Sequence, residues 1–93
     1  MDVKDAVQVA KDYARQLFAD EGVINLGLEE VEFDEQAGIW SVTVGFSRPW
    51  DKPSGALATL AQQLSIPGRS YKVVRILDAS GNVISVKNRE SKP

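Results

Sequence analysis

Residues 39–47, IWSVTVGFS, alternate without a break: Trp40, Val42, Val44 and Phe46 fall between Ser41, Thr43, Gly45 and Ser47. Successive side chains of a strand point to opposite faces, so this spacing makes one apolar face and one polar face. The chain must therefore supply strands beside this one and a cover for its apolar side. Gly45, in the polar phase, leaves room for a bend or for the close approach of another element.

The remaining strands are read from the same period. Residues 71–88, YKVVRILDASGNVISVKN, form two apolar runs around Asp78-Ala79-Ser80-Gly81-Asn82, a hairpin with strands at about 70–78 and 83–88. In the first run Val74 and Ile76 point one way, and Tyr71, Val73, Arg75 and Leu77 the other, which leaves the inward face open. In the second, Ile84 and Val86 are expected inward, Ser85 and Lys87 outward. Residues 25–34, NLGLEEVEFD, read as the first strand, but Leu26/Leu28 and Val31/Phe33 are out of phase. One extra residue at Glu29-Glu30, a β-bulge, would return both pairs to the core. Residues 34–38, DEQAG, supply the turn into the second strand.

The cover comes from residues 3–20. Val3, Ala6, Val7, Ala10, Tyr13, Ala14, Leu17 and Phe18 recur at spacings of three and four and share one helical face. Asp2 stands at the N-cap position with Asp5 in the first turn, and Gly22 is a natural stop. Three alanines on that face let the helix lie close to a sheet. Residues 48–55, RPWDKPSG, break every period and read as a loop. Ser54 then caps a short second helix over 55–64, closed by a turn at Ile66-Pro67-Gly68. The sum is an α+β domain over residues 1–90, with a tail at 91–93. Its N-terminal helix packs on a four-stranded antiparallel meander sheet, with the short second helix between strands two and three. Trp40 and Phe46 are expected to be the costliest to truncate, ~3–5 kcal/mol each.

Composition removes several kinds of chemistry. Histidine and cysteine are both absent, so disulfides, thiol nucleophiles, His-dependent triads and the usual nitrogen and sulfur metal ligands are all excluded. Gly22, Gly27 and Gly38 do not have the spacing of a phosphate loop. No run is long and apolar enough to cross a bilayer and no signal-peptide core is visible, which gives a cytoplasmic expectation. The net charge of -2 hides an asymmetry. Residues 1–47 carry ten acids against three bases, and residues 48–93 carry eight bases against three acids. The plainer expectation is that the halves fold together and their charges pair across strands. The sharper one is a basic face for an acidic partner.

A helix with Ala6, Ala10 and Ala14, then Trp40-Ser41-Val42, then Tyr71-Lys72-Val73 followed by Asp78, Gly81, Val83 and Val86, resembles the small PepSY-like and cystatin-like α+β domains. The resemblance covers the chain except for 48–69. It implies a non-catalytic module, inhibitory or binding, of a kind often found outside the cytoplasm. The chain departs from that pattern in the 48–69 insertion and in lacking an export signal.

Four candidate sites remain. Arg48, Pro49, Trp50, Asp51 and Lys52 put an anchor-type aromatic and arginine in a proline-rich loop, the residue types that dominate protein interfaces. There Trp50 either contacts a partner or folds back to plug the core. Arg69, Lys72, Arg75, Lys87 and Arg89 would make a basic face on the C-terminal hairpin able to touch phosphates. Glu29, Glu30, Glu32, Asp34 and Glu35 form an acidic run able in principle to hold a cation or supply paired carboxylates, with a solvated bulge and turn as the plainer reading. An unprotected sheet edge would accept another strand, including one from a second copy. Protein recognition without catalysis or cofactor ranks first, with the chain a monomer or a weak homodimer through a sheet edge. Nucleic-acid binding ranks behind it, because the sequence pI is near 5.0.

Overall fold

The computed structural model describes residues 1–49 and 69–89. Helix α1 (Val3–Leu17) leads through a 3-10 turn (Ala19–Glu21) to strands β1 (Ile24–Asp34), β2 (Ile39–Ser47), β3 (Ser70–Leu77) and β4 (Val83–Asn88). The strands form one antiparallel sheet in the order β1-β2-β3-β4, and α1 crosses one of its faces. The α+β arrangement is the one the periodicities predict. The helix expected at 55–64 lies outside the described residues. Among the described residues no helix is long and apolar enough to cross a membrane.

Helix α1 starts where its sequence dictates. The Asp2 carboxylate accepts from Asp5 N at 2.8 Å and the Asp5 carboxylate accepts from Asp2 N at 3.3 Å. This reciprocal pair satisfies two backbone donors that a helix start leaves open. The helix ends three residues earlier than its periodicity suggests. At Phe18 the chain leaves α geometry and the ring lies 5.2 Å from that of Phe46. Gly22 then turns the chain with φ 66°, a left-handed conformation that glycine adopts without strain.

Packing corrects the expected helical face. Ala6, Ala10 and Ala14 are at most 1% exposed, whereas Val3, Tyr13 and Leu17 are exposed, Leu17 at 50%. The small side chains centre the contact, bringing the backbone against the sheet, and the larger ones are left at its margin. Val7, Val9 and Phe18 fill the flanks half-buried. Under the alanines lie Val42, Val44 and Phe46 of β2 with Val74 and Ile76 of β3, all fully buried. This settles the inward face of β3. Trp40 is only half-buried. Its ring stacks 4.6 Å from Phe33, and its Nε1 donates to Asp78 Oδ1 at 2.9 Å.

The β1 bulge is present. Leu28 pairs with Val44 and Glu30 with Thr43, so Glu29 is the additional residue. Leu28, Val31 and Phe33 then share the phase of the core, opposite Val44, Val42 and Trp40. Yet Leu28 and Phe33 stay exposed, on a strand at the edge of the sheet. A second irregularity separates Ile24 from Gly27, where Asn25 has φ 56°. On β4, Arg75 pairs with Ser85 and Ile76 with Val83, so Ile84 is also an inserted residue. Val83, not the expected Ile84, takes the place opposite Ile76, and Ile84 is turned out at 44% exposure.

Candidate functional site

The loop leaving β2 begins with a structural residue. Arg48 Nη1 donates to Glu21 Oε1 at 2.6 Å and Nη2 donates to Ser70 Oγ at 3.0 Å. Its guanidinium stands 5.3 Å from the Phe46 ring centre and 5.8 Å from that of Phe18. Arg48 thus ties the 3-10 turn to β3 and lies against the aromatic pair that ends the core. Pro49 is exposed beside Gly22. Trp50, Asp51 and Lys52 lie outside the described residues.

The basic residues of the C-terminal hairpin divide between the two sheet faces. Lys72 pairs with Val44 and its ammonium sits 5.8 Å from the Phe18 ring, which puts it on the α1 side, where it also donates to Asn88 Oδ1. The other four gather on the opposite face. Arg75 pairs with Ser41, and Lys87 pairs with Val73. The Arg89 guanidinium covers the Tyr71 ring at 4.0 Å. Arg69 reaches over Gly45 to donate to Asn25 O at 3.1 Å. Gly45 gives these groups their room. A Cβ there would stand 2.8 Å from Arg69 Nη2 and 3.1 Å from both Glu29 Cγ and Tyr71 Cε1.

The acidic run arrives on that same face. Glu30, Glu32 and Asp34 pair with Thr43, Ser41 and Ile39, all in the phase away from α1, and Glu29 lies over Gly45. All four carboxylate residues are exposed, as are Lys87 and Arg89. Among the described residues no group of three acids forms a plausible metal set. Asp34 is occupied in the turn, accepting from Gln36 N and Ala37 N at 3.0 and 3.1 Å. Glu35 follows in that turn, exposed.

The result is a sheet face with two strips of opposite sign. Between them runs β2, which has no charged residue. Two strand spacings, about 9.6 Å, separate β1 from β3. Among the described residues the acidic and basic halves of the chain meet in the side-chain ion pair of Glu21 with Arg48, and Glu30, Glu32, Arg75 and Lys87 form none. In the rows of Glu30 and Glu32 the expected pairing across strands is therefore replaced by segregation across a neutral strand, whereas at Gly45 Arg69 crosses β2 and lies beside Glu29. The middle of the face is polar but well shielded. Thr43 is 5% exposed between Glu30 and Val73, and Ser85 Oγ is covered without a hydrogen-bond partner.

Two further places bear on chemistry. An open cleft of about 610 Å³ beside the end of α1 is lined by Arg15, Phe18, Ala19, Val23, Asn25 and Leu26, with Arg15 the one ionisable side chain among them. At the other end of the sheet Asp78 accepts from Trp40 Nε1, and the Met1 ammonium lies 3.5 Å away. The Trp40 hydrogen bond first, and that positive charge after it, hold the Asp78 carboxyl below its ordinary 3.8, although partial burial acts the other way. No family model, curated protein or solved structure matches the chain.

Proposed function

We propose that the chain is a non-catalytic protein-binding domain whose contact surface is the sheet face opposite α1. The observation that carries this reading is the segregation of charge on that face, with Glu30 and Glu32 on one side of β2 and Arg75 and Lys87 on the other, all without ion-pair partners among the described residues. Opposed charges held apart on one surface set the orientation of an incoming charged partner and speed its encounter. The PepSY-like and cystatin-like resemblance implies the same class of role. A phosphate backbone fits the face less well, because the carboxylates of β1 would repel it beside the basic strip.

The test is site-specific photo-crosslinking in the cells that make the protein. A photoreactive residue at Ser41, at the centre of the face, should capture a discrete protein species. The same residue at Gln16, exposed on α1, should not. Capture from Gln16 alone, or from neither position, would overturn the reading.

A further inference from the structure

The rows of the sheet place opposite charges at the same height. Glu30, Thr43, Val73 and Lys87 lie in one line across the four strands. Glu32, Ser41, Arg75 and Ser85 lie in the next. The first row is thus charged as the complement of its own mirror order, with Glu30 on β1 and Lys87 on β4, while in the second the base, Arg75, stands on β3 and Ser85 on β4.

Two copies packed face to face can be related by a twofold axis in the plane between them, either along the strands or across them. An axis across the strands lays β1 over β1, and carboxylates meet carboxylates. An axis along the strands lays β1 over β4 and β2 over β3. Glu30 then stands over Lys87 of the second copy, and Lys87 over Glu30 of the second copy. In the middle Thr43 faces Val73 but is only 5% exposed within its own chain, so the contact rests on the charged flanks. In the next row Arg75 stands over Ser41 of the second copy, between the two strips.

We infer that the binding partner of this face is a second copy of the chain, docked about a twofold axis that runs parallel to the strands. The inference rests on the face being a protein-binding surface, and it names what binds there. It differs from pairing at the sheet edges. Both edges oppose that route: β1 is interrupted twice and lined with carboxylates, and β4 is six residues long with an inserted Ile84 and an outward Lys87. Four strands spaced about 4.8 Å apart and roughly 26 Å long make a face of about 500 Å² per copy, below the size of lasting interfaces, so the dimer is weak and sensitive to salt.

Analytical ultracentrifugation of the full chain over a concentration series tests it. At about 0.01 M salt, where charges act over roughly 30 Å, a monomer–dimer equilibrium is expected, and at about 1 M salt it should weaken by at least tenfold. Glu30→Lys and Lys87→Glu should each weaken the homodimer by about tenfold or more. Mixed with one another they should associate at least as well as the unmodified chain, because both contacts in the mixed dimer are again acid to base. Melting curves of each variant establish that it is folded, and Lys87→Asp replaces Lys87→Glu if that variant is not. A chain that stays monomeric at low salt overturns the inference, as does a mixture that fails to associate. If the chain is monomeric while a residue at Ser41 captures a different protein, the second copy falls and the binding surface stands. If Ser41 captures nothing, both fall.

Discussion

Toward α1 the central strands present Val42, Val44, Phe46, Val74 and Ile76, all fully buried against three alanines. Away from α1 the same strands present Ser41, Thr43, Gly45, Val73 and Arg75, flanked by carboxylates on one side and cations on the other. The first surface is specified by volume, since every atom there has a neighbour and nothing can grow or shrink without a cost. The second is specified by where charge is placed, and its shapes can change with little effect on folding. One strand serves both, because alternate residues of β2 belong to different surfaces.

The sharpest way to break this contrast is to truncate Phe46. Phe46→Ala should destabilise the domain by ~3–5 kcal/mol in urea denaturation, since the ring is fully buried and touches Phe18. Trp40→Ala should cost less, because Trp40 is half-buried at the other end of the row. A larger loss at Trp40 than at Phe46 would mean that the volume-specified region is centred nearer Asp78. Ala10→Leu comes next. Leucine favours helix almost as well as alanine, so the substitution tests contact alone, and overpacking should lower stability by about 1–3 kcal/mol. An unchanged melting temperature would show that α1 can ride away from the sheet.

A smaller effect, confined to acid, is expected at Asp78. Its carboxyl titrates lower folded than its ordinary 3.8, so its contribution is complete above that value and is lost as the pH falls below it. Asp78→Asn keeps an acceptor for Trp40 but does not titrate. The stability difference between the two proteins should therefore be constant near neutrality and close as the pH drops below 3.8. A difference that stays constant through that range would show that Trp40 does not favour the ionised form. Least affected is the charged face: Arg75→Glu should change folding stability by no more than about 0.5 kcal/mol in the same denaturation experiment. A loss of several times that would place Arg75 in the volume-specified region.

How much of this is legible in the sequence depends on the reach of each interaction. The Asp2–Asp5 box, the β2 alternation and the Glu29 bulge are local, and each follows from a phase or a spacing within a few residues. Periodicity places Tyr13 and Leu17 beside the alanines without revealing how narrow the contact is. Alternation alone turns Ile84 inward because the Asp78–Asn82 turn leaves the register of β4 open, and only pairing with β3 shows the inserted residue. Arg48 reads as a loop anchor until Glu21 and Phe46 are brought to it from elsewhere in the chain. Lys72 joins the basic group in sequence but not in space, because one residue's shift of phase puts it on the other side. The face itself is invisible without strand order. A charge imbalance between halves is compatible with interleaving or with separation, and the choice depends on which strand lies between them.

The neutral strand has a practical consequence. At low ionic strength the domain should be retained by both anion- and cation-exchange resins at one pH, each resin gripping a different flank of the same molecule, even though the sequence pI of 5.0 would assign it to only one column. A bulk titration averages the two flanks away. A surface that lets the molecule turn before it sticks does not.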